Sequence, residues 1–191
     1  MQRIRPLKFV HIVYRTYRFD EMVTWYQKVL GAKVQHYDPA IAFVTYDEEH
    51  HRVAFLNLSV FVPDGPRTRN DLVGADHVAY TYGSLSDLAE NYAQLKEMGI
   101  LPYWCLHHGI TISLYYGDPD GNRLEFLVDV YKTNEEANAF MTGPGFADNP
   151  IGVEFDPDEL VARLRAGEPE SNFMIRKVHQ PVAPLRHPVV S

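Results

Sequence analysis

The stretch Phe9-Val10-His11-Ile12-Val13-Tyr14 returns 66 residues later as Asp76-His77-Val78-Ala79-Tyr80, with His11 aligned to His77 and Tyr14 to Tyr80. Each copy reads as a short strand followed by a helix. In the first, Asp20 offers an N-cap, Met22, Tyr26, Val29 and Leu30 recur at i, i+4, i+7 and i+8, and Gly31 stops the helix. In the second, the helix starts near Ser84 or Ser86, carries Leu88, Tyr92 and Leu95, and stops at Gly99. Tyr26 aligns with Tyr92 at the same offset, so residue type and element order repeat together.

Working outward, three strand-like stretches follow each helix, at 33–38, 40–47 and 51–61 and again at 102–107, 109–117 and 122–130. The expected fold is α+β: two βαβββ modules, about 7–62 and 75–130, within residues 1–130. Residues 63–75, rich in turn formers from Pro63-Asp64-Gly65-Pro66 onward, connect them as an inserted loop. Asp118-Pro119-Asp120-Gly121-Asn122 predicts a tight turn between the last two strands. The remainder, 131–191, reads as a C-terminal tail. It has a short helix at 134–141 and an amphipathic helix opened by Asp156-Pro157-Asp158-Glu159 and closed by Gly167, then an extended arm over 168–191.

Bulk properties narrow the function classes. A formal net charge of -7 opposes nucleic-acid phosphates and anionic membranes, and the concentrated basic run Arg67-Thr68-Arg69 is followed at once by Asp71. One cysteine, Cys105, rules out an internal disulfide and a cysteine-based zinc cluster. No apolar run has the length of a membrane span, and the first residues lack the apolar core of a secretory signal, so a cytoplasmic setting is expected.

The chemistry lies in the repeat. Duplicated modules packed about a pseudo-twofold axis would bring His11 and His77 together. Glu125 sits in the apolar strand Leu124-Glu125-Phe126-Leu127-Val128, where a carboxylate needs a counter-charge. An ion pair with Arg123 or Arg52 would supply one; a metal ion would supply another. Two imidazoles and one carboxylate leave coordination positions open, as non-haem Fe(II) requires, and Mn(II) or Zn(II) could take the same ligands. His11, His77 and Glu125 are therefore the expected metal ligands.

These features resemble the vicinal-oxygen-chelate superfamily, whose paired βαβββ modules form a cupped mixed sheet around a metal. Its members include glyoxalase I, the bleomycin- and fosfomycin-resistance proteins and the type I extradiol catechol dioxygenases. Gly117-Asp118-Pro119-Asp120-Gly121-Asn122-Arg123-Leu124-Glu125-Phe126 is similar to the terminal hairpin that carries the superfamily's ligand glutamate. The extradiol enzymes also keep a histidine about thirty residues after the second ligand and a tyrosine ten residues before the glutamate, where this chain has His108 and Tyr115. His51-Arg52-Val53-Ala54-Phe55 is similar to the segment around their acid–base histidine.

The resemblance covers about residues 7–130 and implies ring cleavage of a catecholic substrate with O2. Tyr115 would hydrogen-bond a catechol oxygen and assist its deprotonation, His108 would hold the other side, and His51 would act as acid–base beside O2. His107 competes with His108, and strand alternation sends only one of Tyr115 and Tyr116 inward. Trp104, Phe55 and Phe126 are candidates for an aromatic wall.

Two departures stand out: the extra metal-free pair of modules in two-domain dioxygenases is missing, and the 63–75 loop is inserted as a lid, an oligomer contact or a plain connector. The tail resembles that of single-domain relatives. Modules of this kind are compatible with a homodimer or higher homo-oligomer.

Two other readings stand beside this one. A glyoxalase-type isomerase or lyase would have a fourth ligand on the last strand of the first module, where Asn57 or Ser59 is the nearest donor. A non-catalytic resistance protein would hold an aromatic ligand between the modules and need no metal triad.

Overall fold

A computed structural model describes residue 9, residues 11–65, 77–176 and 181–184, and residues 186 and 188. Most of the inserted loop, from residue 66 on, lies outside the described residues. By internal contacts the chain divides into two compact units. One holds the first module together with Asp118–Asp120, and the other holds the second module together with the tail.

The first unit runs β1 (Ile12–Thr16), α1 (Phe19–Leu30), β2 (Lys33–Tyr37), β3 (Ile41–Thr45), β4 (Val53–Asn57) and a single helical turn, α2 (Leu58–Phe61). Its sheet order is β1-β4-β3-β2, with β1 parallel to β4 and the other pairs antiparallel. Helix α1 covers one face with Met22, Tyr26 and Val29, and the Tyr26 ring meets Phe55 edge-on at 5.1 Å. Full burial of side chains of this size stabilises by roughly 1.5–3 kcal/mol each. The Tyr26 hydroxyl donates to Asp118 at 3.2 Å, and the Arg18 guanidinium donates to the Pro119 carbonyl; both secure the turn 118–120 to this unit.

Two sequence expectations shift here. Helix α1 begins at Phe19 with no side-chain cap, and Asp20 sits in its first turn, accepting from the Tyr37 hydroxyl. An acidic residue is stabilised there by the helix dipole without serving as the cap. The strand expected over 51–61 ends at Asn57, because the Asn57 side chain accepts from the Ser59 amide and starts α2.

The second unit repeats the plan with β5 (His77–Thr81), α3 (Leu85–Glu97), β6 (Trp104–His107), β7 (Thr111–Gly117) and β8 (Arg123–Asp129). Ser84 is the N-cap, accepting from the Asp87 amide, and Gly99 takes the left-handed conformation expected at a helix stop. The sheet order β5-β8-β7-β6 matches that of the first unit strand for strand. Paired βαβββ modules of an α+β fold are therefore present as read.

The tail packs within the second unit. It contributes α4 (Asn134–Met141), α5 (Pro144–Asp148), β9 (Val153–Glu154) and α6 (Pro157–Arg165). Asp156 caps α6 as its sequence announces, accepting from the amides of Asp158 and Glu159. Tyr92 and Lys96 on α3 both bond Asp158, joining α6 to α3. Strand β9 adds a fifth strand beside β6, pairing Leu106 with Glu154 and His107 with Val153. Among the described residues, no helix is long and apolar enough to cross a membrane.

Candidate active site

Strand alternation separates the two faces of the second sheet. The register aligns Ala79, Glu125, Tyr115 and Trp104 on one rung, so these four side chains share a face. Leu124, Phe126 and Tyr116 project to the other face and are fully buried. The sequence left Tyr115 and Tyr116 open as alternatives; Tyr115 shares a face with Glu125 and Tyr116 belongs to the core. Phe126 and Phe55 are likewise fully buried core residues, whereas Trp104 lies 5.3 Å from the Tyr115 ring. Tyr103 adds a second ring 6.3 Å away.

Glu125, 6% exposed, is the hub of a polar chain. Its Oε2 is 3.0 Å from His77 Nε2. Its Oε1 accepts from the Tyr115 hydroxyl at 2.8 Å and stands 3.8 Å from His108 Nε2. His108 Nε2 lies 3.0 Å from the Tyr115 oxygen, and its Nδ1 donates to the Ile151 carbonyl. His107, the competing histidine, is elsewhere: its Nδ1 accepts from the Gly109 amide, and burial pushes its pKa down to about 4.

The protons of this chain can be counted. A carbonyl only accepts, so His108 Nδ1 carries a proton. The phenol has one proton, claimed by both Glu125 Oε1 and His108 Nε2. Burial, the main influence on His108, lowers its pKa and disfavours the imidazolium that would satisfy both contacts, although Glu125 and the Ile151 carbonyl pull the other way. A cation on Glu125 resolves the competition, because the carboxylate then no longer needs the phenolic proton. The donor spacing fits as well: two ligands at about 2.1 Å from a metal and at right angles to each other are about 3 Å apart, the observed His77–Glu125 separation.

The first unit holds the other two predicted residues. The His11 ring stacks on His51 at 4.4 Å, and Phe43 stacks on the opposite side of His51 at 4.4 Å. Burial, followed by the neighbouring His11 and His50, lowers the His51 pKa below the ordinary histidine value. His51 is therefore a neutral imidazole near pH 7, able to accept a proton. Arg52, one of two arginines considered as ion-pair partners for Glu125, is committed to Asp47 at 2.9 Å. Among the described residues no group of three or more His, Cys, Asp or Glu side chains is arranged as a metal cage; His77 and Glu125 are in contact within the second unit, and His11 belongs to the first.

Strand pairing also revises where a fourth ligand would lie. Ala79 pairs with Glu125 in the second unit, and its counterpart Val13 pairs with Ala54 in the first. The equivalent of Glu125 is thus Ala54, which has no donor atom, rather than Asn57 or Ser59. Asn57 caps α2 and Ser59 lies within it.

Sequence reasoning did not find Ile151 or Arg176. Ile151 acts through its backbone, which leaves no trace in residue type, and Arg176 lay in a segment read as an arm. Two cavities in the second unit, of about 370 and 560 Å³, do not touch His77, His108, Tyr115 or Glu125. One lies between α3 and α6 beside β6, the other beside α4.

Comparison with known proteins identifies the family and the fold. Residues 8–126 match the Glyoxalase/Bleomycin resistance protein/Dioxygenase superfamily. Biphenyl-2,3-diol 1,2-dioxygenase 2 of Rhodococcus globerulus is 45% identical over 163 residues, covering 85% of this chain and 84% of that protein. Biphenyl-2,3-diol 1,2-dioxygenase 3 of the same organism is 41% identical over 172 residues, with 88% of each chain covered. Among solved structures, a glyoxalase/bleomycin resistance protein/dioxygenase from Nocardioides aligns at TM-score 0.53 and 18% identity, over 69% of this chain and 89% of that one. Lactoylglutathione lyase from Agrobacterium tumefaciens aligns at 0.51 and 17%, over 64% and 94%. At these identities the two structures speak for the fold alone.

Proposed function

Because the chain belongs to the glyoxalase/bleomycin resistance protein/dioxygenase superfamily, we propose that it is an Fe(II)-dependent extradiol dioxygenase opening a catecholic ring beside its two hydroxyls. The observation that carries this reading is the chain His77–Glu125–Tyr115–His108, buried at Glu125 and Tyr115, in which a carboxylate, two imidazoles and a phenol lie within hydrogen-bonding distance of one another. His77 and Glu125, completed by His11, would hold the metal. Iron bound there supplies the Lewis acidity that favours an ionised catechol and the electron density that O2 requires.

The protein's own groups then divide the proton work. Tyr115 accepts a hydrogen bond from a catechol hydroxyl and relays the proton, passing its own to His108 Nε2. His108 can receive it there because the Ile151 carbonyl keeps its proton on Nδ1. His51, neutral and packed on His11, takes up or returns a proton on the O2 side. Trp104 and Tyr103 offer ring faces beside Tyr115, which suits a catechol bearing an aryl substituent such as the diol named in the two relatives. Ala54 at the position equivalent to Glu125 argues against glyoxalase-type chemistry, because its side chain would supply no fourth ligand.

The test is direct. Anaerobic protein reconstituted with Fe(II), given 2,3-dihydroxybiphenyl and other catechols and then air, should form a yellow ring-opened product absorbing in the visible. Stoichiometric bound iron with no colour from any catechol would sink the proposal.

A further inference from the structure

The turn that carries His108 is enclosed by the tail. Gly109, at a φ of 101°, lies so close to Phe140 of α4 that an added Cβ would meet the ring at 2.5 Å. Gly152, at a φ of 115°, lies against the turn's backbone, where a Cβ would come within 2.6 Å of the His107 carbonyl oxygen. Asn149 closes the strap 149–152 on itself, its side chain accepting from the Gly152 amide at 2.7 Å and donating to the Gly152 carbonyl at 2.9 Å.

Arg176 ties these pieces together. Its guanidinium donates to the carbonyls of His108 at 2.8 Å, Asn149 at 2.7 Å and Gly145, and lies 5.4 Å from the Phe140 ring. The described hydrogen bonds of this arginine go to carbonyl oxygens of the turn, of the strap's first residue and of α5. A planar fork of fixed donors suits that task, whereas an ammonium ion on a flexible stem does not. The Ile151 side chain also packs on the buried Leu106–Tyr115–Ala183 cluster, to which the relay's tyrosine belongs.

We propose that Arg176 is a positioning residue for ring cleavage. By clamping the strap to the β6–β7 turn, it sets the Ile151 carbonyl on His108 Nδ1 and so fixes the ring's orientation and its Nδ1–H tautomer, with Nε2 facing Tyr115. The proposal rests on the dioxygenase reading for its catalytic consequence, but its structural part can be read without turnover.

The experiment uses full-length, metal-free protein labelled with [15N]histidine. Long-range proton–nitrogen NMR identifies which ring nitrogen of each histidine is protonated, and His108→Gln identifies the His108 signals. Wild type should show His108 as the Nδ1–H tautomer, Arg176→Met should show a mixture of tautomers, and Arg176→Lys should lie between. In the iron-loaded enzyme Arg176→Met should lower kcat roughly ten- to a hundredfold through misplacement of the ring, with KM for the catechol little changed and partial recovery in Arg176→Lys.

An Nε2–H tautomer in wild type overturns the proposal whatever the variants do. So does an Arg176→Met variant with unchanged tautomer and unchanged kcat, or one whose tautomer moves while kcat stays at the wild-type value. If Arg176→Met does not fold, wild type and Arg176→Lys decide. A correct tautomer in a wild-type protein that cleaves no catechol refutes the dioxygenase reading and leaves the clamp standing as structure alone.

Discussion

Tyr115→Phe removes one oxygen from the centre of the polar chain and nothing else. That oxygen bonds Glu125 at 2.8 Å and faces His108 at 3.0 Å in a side chain only 6% exposed. A hydrogen bond to a charged group contributes about 1.5–3 kcal/mol. If the phenol's hydrogen bonds strengthen to that extent only in the transition state, as its proton passes to His108, their loss lowers kcat about 10- to 150-fold at 1.36 kcal/mol per tenfold. Leaving the buried carboxylate short of a donor costs about 1–3 kcal/mol of stability, or roughly 2–12 °C of Tm for a chain of this length.

Iron should stay bound, since His77 Nε2 and Glu125 Oε2 are untouched. The adjacent residue supplies the control. The Tyr116 hydroxyl is buried without a hydrogen-bond partner among the described residues, so Tyr116→Phe should leave turnover unchanged and hold or raise Tm. The assay pairs iron content by elemental analysis with the rate of coloured product in air-saturated buffer. The reasoning fails if Tyr115→Phe turns over within threefold of wild type, if it loses its iron, or if Tyr116→Phe is equally impaired.

Glu125→Gln keeps the shape but removes the charge. It should emerge from gel filtration without stoichiometric iron, and retained iron would remove Glu125 from the ligand set; His77→Ala and His11→Ala should behave alike. For His107, the unfolded imidazole binds a proton near pH 6.5, whereas burial lowers the folded value to about 4. The unfolded state therefore binds more protons between those values, and stability falls by up to about 3 kcal/mol as pH drops through that window. Urea midpoints at pH 7 and pH 4.5 should converge in His107→Leu, and an unaltered acid loss would contradict this assignment. Gly152→Ala places a methyl within 2.6 Å of the His107 carbonyl at a φ of 115°, costing about 1–3 kcal/mol. Calorimetry should show a lower Tm, and an unchanged one would mean the strap has room to move.

Two of the candidate ligands were legible because they repeat at one spacing. His11 and His77 open equivalent strands, and Tyr115 lies opposite Glu125 because both strands leave a short turn. Three features could not be read. The module offset is 66 residues at the first strands, from His11 to His77, but 71 at the last strands, from Ala54 to Glu125. The intervening connections differ in length, so a single offset pointed to Ser59 instead of Ala54. The choice between His107 and His108 turned on which of two neighbours faces Tyr115. The tail's contribution rests on the Ile151 carbonyl, and every residue offers the same backbone carbonyl.

The amino-acid order by itself determined the duplicated βαβββ plan, the helix stops at Gly31 and Gly99, the cap at Asp156 and the chemical types available for a metal site. These follow from local periodicity and backbone preference, which act over a few residues. Tertiary structure alone decided that Glu125 meets His77, Tyr115 and His108, that Phe55 and Phe126 are core, and that the tail braces the His108 turn. Each of these depends on strand register and on contacts between residues as far as 68 positions apart, as between His108 and Arg176. Such contacts form only when the whole sheet has assembled.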